Sequence, residues 1–315
     1  MQRGLLITGL PRSGTSWVGK MLEHGGRLVY VNEPMNPSHP PGRSPGVLDA
    51  SVRHYFHYIC DDNEDPWRRA FTDTLALRYR LGRELATNHR PYDLARAARY
   101  ATLFAIGRLR RCGALIDDPY ALFSAGWLAR TYDIPAVVLV REPVAFVGAW
   151  RAHRWTVDTR ELLSQPLLMR DHLEPSHDEL ADVAGSTDWL ATTATLWRAA
   201  YRAVDELVRT DDRLHLVRYE DLAADPVTAF RDLYERVGLS WTTSARERVV
   251  AATTTADQSP DKRFRWSLRD GLSKTAYRPM SSSSALDSYR QRLTDEEIER
   301  TRALTADVRE AIYAQ

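Results

Sequence analysis

The chain has 315 residues, 43% hydrophobic and 27% charged, with 43 Lys and Arg against 42 Asp and Glu, for a net charge of +1. A near-neutral molecule has no general pull toward nucleic acid or acidic membranes, and a chain of this length buries a core without staples. Cys60 and Cys112 are too few and too far apart for a disulfide framework, and no His/Cys group has zinc spacing, so no metal is expected.

The first predicted element is an apolar strand over 4–9, too short for a signal-peptide core. It runs into Gly9-Leu10-Pro11-Arg12-Ser13-Gly14-Thr15-Ser16 and then a helix over 15–24. Strand, Gly-rich turn and helix N-terminus aim backbone N–H groups at one point, the arrangement a phosphate needs. The spacing is that of G-x-x-x-x-G-K-[ST], yet Thr15 stands where the lysine belongs and Arg12 is the loop's cation. A kinase loses its contact to the β- and γ-phosphates here. An enzyme gripping a 5'-phosphate with another leaving partner does not.

A second strand over 28–32 delivers Glu33 at its C-terminal end, and Pro34 stiffens the backbone there. The proline-rich stretch 34–49 reads as a loop, followed by helices over 66–80 and 92–111, a strand over 113–117 and a helix over 120–131. The strand over 135–140 ends in Arg141-Glu142-Pro143, with proline opening a helix over 143–153. Arg141 thereby sits at the strand edge where open α/β sheets bind ligands. In the helix over 187–210, Leu190, Ala194, Trp197, Tyr201, Val204 and Val208 recur at spacings of three and four. A strand over 213–218 and helices over 226–237 and 242–253 follow. After the irregular stretch 255–293 a last helix over 294–313 opens in a capping box, Thr294 to Glu297.

Short all-apolar strands alternating with helices predict one α/β domain over 1–315, a P-loop-like, mostly parallel sheet covered by helices on both faces. The longest apolar run, 134–140, cannot span a bilayer, so no membrane insertion and a cytoplasmic location are expected.

Several segments together resemble sulfotransferases that use 3'-phosphoadenosine 5'-phosphosulfate (PAPS). Pro11-Arg12-Ser13-Gly14-Thr15-Ser16-Trp17 is similar to the family's 5'-phosphosulfate loop, and Val140-Arg141-Glu142-Pro143 to its 3'-phosphate motif. Arg218-Tyr219-Glu220-Asp221-Leu222 resembles the Y-E-D-L segment beside the adenosine. The run 117–128 resembles K-D-P-x-A-L-F-S-A-E-W-L of bacterial members, with Asp117 in place of the lysine and Gly126 in place of the glutamate.

The resemblance implies a sulfotransferase moving a sulfuryl group from PAPS to a hydroxyl or amine of a small-molecule or glycan acceptor, leaving 3',5'-adenosine bisphosphate (PAP). Arg12 takes the position that stabilises the leaving phosphate, and Ser13, Gly14, Thr15 and Ser16 hold the 5'-phosphate. Trp17 stacks on adenine, and Arg141, Tyr219 and a late basic loop with Arg263, Arg265 and Arg269 complete the nucleotide site. The family's serine eight residues after Arg141 is Ala149 here. A lost hydroxyl is worth about 1 kcal/mol.

For the base, Tyr30-Val31-Asn32-Glu33-Pro34 resembles the Y-E-P segment of carbohydrate sulfotransferases, which implies Glu33; His24, His39 and His153 are the fallbacks. Trp67, Tyr79, Trp150, Trp155 and Trp189 are candidate walls for the acceptor. Two other readings compete: an ATP-using P-loop phosphotransferase, and a repurposed sulfotransferase fold that binds PAP without transfer.

Overall fold

The computed structural model describes residues 4–25, 27–37, 50–254 and 286–314. The protein is built on a five-stranded parallel sheet in the order β2-β3-β1-β4-β5, with β1 Gly4–Gly9, β2 Leu28–Asn32, β3 Gly113–Asp117, β4 Ala136–Val140 and β5 Leu214–Arg218. The central strand β1 pairs with β3 on one side and β4 on the other, so a crevice opens at the C-terminal edge where the connections diverge.

The strands are apolar at nearly every position because both faces are covered. Leu5 and Ile7 of β1, Leu115 of β3, and Val137 and Leu139 of β4 share one core with Val18 and Met21 of helix α1 (Thr15–Leu22) and with Phe230, Leu233 and Val249. Leu6, Ala114, Ile116, Ala136 and Val138 point the other way, into a larger core with Phe71, Phe104, Trp127, Phe146, Trp197 and Ile298. Residues two apart on a strand share a face, so the same five strands feed two separate cores.

The predicted elements are present, short helices also form between Arg160 and Asp182, and two predicted helices differ in their bounds for local reasons. The helix expected over 66–80 ends at Leu75, and Leu77 turns back with a φ of 53°. There the Arg78 amide donates to the Asp73 carbonyl at 2.8 Å, and Arg78 and Arg80 both pair with the Asp73 carboxylate. A short separate helix, Leu81–Thr87, follows. The helix expected from 120 starts at Ala125, because Asp118 caps a 3₁₀ turn over Pro119–Ala121 and the Ser124 hydroxyl bridges Ile59 N–H and His57 C=O. Tyr219–Ala224 is helical. The capping box at Thr294 forms as expected, with both reciprocal hydrogen bonds in place.

One buried hydroxyl ties the long helix Trp189–Thr210 to the strand exits. Tyr201 Oη donates to the Leu139 carbonyl at 2.8 Å and accepts from Leu10 N–H at 3.3 Å and from the Ser13 hydroxyl at 3.0 Å. Tyr201→Phe leaves those three groups without that partner in a dry environment. The expected loss is about 1–3 kcal/mol of unfolding free energy, read by urea denaturation.

Candidate active site

The turn leaving β1 needs glycine where it bends hardest. Gly9 has a φ of 143°, and a Cβ there would lie 2.4 Å from the Leu139 carbonyl oxygen. Gly14 has a φ of 99°, and its Cβ would meet the Tyr219 ring at 2.7 Å. Arg12, at a φ of 79°, is a non-glycine residue held in left-handed backbone, the kind of strain that concentrates at functional sites. The loop is held from outside by Tyr201, by the Trp150 indole donating to Pro11 C=O at 2.8 Å, and by Arg141 Nη1 donating to Arg12 C=O at 3.1 Å. Gly14 caps α1 with no side-chain bond, so the helix's first amides face the loop's hollow.

Arg12 and Arg141 lie beside each other. The Arg141 guanidinium is 4.7 Å above the Tyr219 ring, and Trp197 donates to its carbonyl at 2.9 Å. Burial, then Arg141, then Arg292 hold the Arg12 guanidinium below its ordinary range. Burial and then Arg12 and Arg292 do the same to His153. Four cationic or protonatable groups thus converge from three parts of the chain. Such a cluster has the charge to attract an anion, since a dianion relieves the repulsion.

Arg292 was not legible in the sequence. It follows the turn Ser288–Gln291, which docks on helix Pro143–His153 where Gly148 is small: a Cβ on Gly148 would lie 3.0 Å from Tyr289 Cβ. Ala149, next in line, is buried.

On the other side of the loop three carboxyls gather at the ends of β2 and β3. Glu33 has a φ of 45°, and its N–H donates to Asp117 C=O at 2.7 Å. Burial first, then the Asp117 charge, raise the Glu33 carboxyl to about 7, against a hydrogen bond from Asn36 at 2.7 Å. Asp117 is sealed from solvent, accepts from the Tyr30 hydroxyl, and is pushed up by burial while Tyr30, Thr15 and Ser16 favour its charged form. Asp118 accepts from Met35 N–H at 2.5 Å and Tyr120 N–H at 3.0 Å, and burial raises it strongly. The Tyr120 hydroxyl is pushed up by burial and then by the Glu33 charge, and its ring lies 5.8 Å from the Tyr55 ring.

Arg12, Ser13, Gly14, Thr15 and Ser16 thus lie in one turn, Arg141 and Tyr219 stand against it, and Glu33 follows strand β2. Trp17 is packed edge-on between Tyr219 and Phe230 in the core below. His153 belongs to the cation cluster, and the His24 ring, bound to Lys20 C=O, lies at the far end of α1. His39, Arg263, Arg265 and Arg269 lie outside the described residues. The expected acceptor aromatics do not form one wall: Trp67 packs on Phe71, Tyr79 on Tyr100 and Phe104, and Trp150 supports the loop. Among the described residues no group of His, Cys, Asp and Glu has the arrangement of a metal site. No helix among them is long and apolar enough to cross a membrane.

A sulfotransferase domain from the curacin biosynthetic pathway is 11% identical, with 96% of each chain covered and a TM-score of 0.47. Sulfotransferase STF9 from Mycobacterium avium is 17% identical over 96% of this chain and 75% of its own, with a TM-score of 0.40. Mouse sulfotransferase SULT7A1, complexed with PAP, is 10% identical over 98% and 84%, with a TM-score of 0.41. No curated protein matches. The Sulfotransferase family profile matches residues 4–243, well over half of the sequence. On that match, this chain belongs to the sulfotransferase family.

Proposed function

We propose that this chain is a single-domain, PAPS-dependent sulfotransferase of the glutamate-base type, acting on a hydroxyl or amine of a small-molecule or glycan acceptor. The observation that carries the reading is the contact of buried Arg141 with the phosphate loop, its Nη1 donating to Arg12 C=O at 3.1 Å beside the exposed Arg12 side chain, with Glu33 at the end of β2. Two phosphate-sized charges on one nucleotide suit that cluster better than the linear polyphosphate of ATP, for which the loop lacks its lysine.

In this reading the Gly14 amide and the Thr15 and Ser16 amides at the start of α1 hold the 5'-phosphate, while Ser13, its N–H on Leu10 C=O at 3.0 Å, shapes the turn. Arg141 holds the 3'-phosphate, with Arg292 beside it where the family's serine is Ala149. Tyr219 fixes the plane of Arg141 from below. Glu33 takes the acceptor's proton as the acceptor oxygen or nitrogen bonds to sulfur. The bond from sulfur to the bridging oxygen breaks, and that oxygen keeps the electron pair as part of PAP. Arg12 stabilises the charge that grows there. Tyr55 and Tyr120 offer the acceptor flat apolar faces, as sugar rings and aromatic rings both accept.

Thermal shift separates this from the ATP reading. PAP at a hundred times its Kd stabilises by about 2.7 kcal/mol, ADP by much less, and Arg141→Ala removes the difference. Equal stabilisation by both nucleotides overturns the reading.

Glu33→Gln abolishes turnover and leaves PAP affinity within about twofold by calorimetry; retained turnover moves the base elsewhere. In any acceptor assay the rate rises as pH passes through about 7, since the base works only when ionised.

The same carboxyl opposes folding once charged. Its folded value lies above its unfolded one, so its stabilising contribution is full below the ordinary carboxylate range and is lost as pH rises through about 7. Glu33→Gln therefore matches the parent protein's stability at pH 4 and exceeds it at pH 8, read by denaturant midpoints at the two pH values.

A further inference from the structure

The near-zero net charge hides a local imbalance. Residues 78–111 hold nine arginines, no lysine and two carboxylates, while the rest of the chain has more acids than bases. Both carboxylates are withdrawn from the surface. Glu84 is 1% exposed and Asp93 4%, and the half-buried Arg96 bridges to them at 3.3 Å and 3.9 Å. Arg78, Arg83, Arg90, Arg108, Arg110 and Arg111 are exposed, and neither acidic side chain of the segment reaches solvent beside them.

The same segment gathers apolar side chains on the outside. Among the described residues, the large hydrophobics that stand exposed are Leu81, Leu85, Tyr92, Leu94, Ile106 and Leu109, the last at 85%. All six belong to the helices Leu81–Thr87 and Pro91–Leu109, which the Arg96–Glu84 pair ties together. On the longer helix Ala95, Ala98, Thr102 and Ala105 are exposed as well, at spacings of three and four. With Leu94, Ile106 and Leu109 they make one outward face without a charge. The helical repeat sets Arg99 along one side of that face and Arg108 along the other. The inner face is packed: Ala97, Phe104 and Gly107 are buried, and a Cβ on Gly107 would lie 2.4 Å from Val29 of the edge strand β2. A surface helix docked on a core normally turns charge toward water. This one turns an apolar strip bordered by cations, and such a patch marks an interaction site.

We propose that this face docks on an anionic lipid surface, the apolar strip entering the headgroup layer and the arginines meeting lipid phosphates. Arginine lays its apolar stem beside the strip while its guanidinium reaches the phosphates. The acidic remainder of the chain is repelled by the same surface, so attraction and repulsion together turn this flank toward the lipid. The helix lies along the surface without crossing it, because its inner face stays packed on β2. A second copy meeting the face through a two-fold axis would set arginines against arginines. Nucleic acid would satisfy the arginines and leave Ile106 and Leu109 against phosphates.

The full chain is floated with vesicles of phosphatidylcholine alone and of phosphatidylcholine mixed with phosphatidylglycerol. The expected result is binding to the mixed vesicles, little to the neutral ones, and weakening as salt rises. Two variants separate the contributions: Leu94→Gln/Ile106→Gln/Leu109→Gln removes apolar area, and Arg108→Gln/Arg110→Gln removes charge. All five positions are exposed, so the melting temperature holds in both. Each variant lowers the partition coefficient roughly tenfold or more. Absence of binding to the mixed vesicles overturns the proposal, and so does binding that either folded variant keeps within about twofold of the parent. A dimer in sedimentation that the triple variant dissolves, without vesicle binding, overturns it in favour of a second copy. Binding to duplex DNA that only the arginine variant loses, again without vesicle binding, overturns it in favour of nucleic acid.

Discussion

A buried guanidinium held against the backbone of an exposed one is the constraint on which the rest of this site depends. Arg141 is 7% exposed and donates to the carbonyl of Arg12, whose own side chain reaches the surface; desolvation and then the Arg141 charge hold the Arg12 guanidinium below its ordinary range. The fold holds them there through contacts to backbone: Arg141 donates to the Arg12 carbonyl, Trp197 donates to the Arg141 carbonyl, and Trp150 donates to Pro11. Each bond fixes the backbone of the loop while leaving the Arg12 side chain at the surface.

The carboxyl side of the loop is built on the opposite sign but the same logic. Glu33, Asp117 and Asp118 meet where β2 and β3 end, and their backbone and side-chain bonds interlock: Glu33 N–H on Asp117, Met35 N–H on Asp118, Asn36 on Glu33. Positive φ at Glu33 turns the chain sharply just after the strand. Cations and carboxyls thus gather at the ends of neighbouring strands, the cations at the phosphate-loop turn and the carboxyls where β2 and β3 end.

Much of this was legible before any coordinates. The loop's glycines, the strand-end positions of Arg12, Glu33 and Arg141, and the order of strands and helices followed from short-range pattern, because turn chemistry and apolar periodicity are local properties. Arg292 gave no signal. It lies far along the chain from the loop, and only the docking of the turn Ser288–Gln291 against Gly148 brings it to Arg12 and Arg141. Of the candidate acceptor aromatics, Trp67 and Trp150 are buried in the core, Tyr79 is half-buried against Tyr100 and Phe104, and Trp155 packs on Trp150 and His153.

By itself the sequence determined that a phosphate-binding turn follows the first strand, and that a cation and a carboxylate end two further strands. Those features depend on residues within a few positions of each other. What only the tertiary structure decided was which charges became neighbours. Asp117 looks like a lost lysine in the sequence; packed between Tyr30 and α1, it accepts the Tyr30 hydroxyl, and its carbonyl takes the Glu33 N–H. His153 looks like a spare base; desolvation and the Arg12 and Arg292 charges push its imidazole toward the neutral form. Electrostatic energy depends on distance through space and on burial, and neither is written in the spacing of residues along a chain.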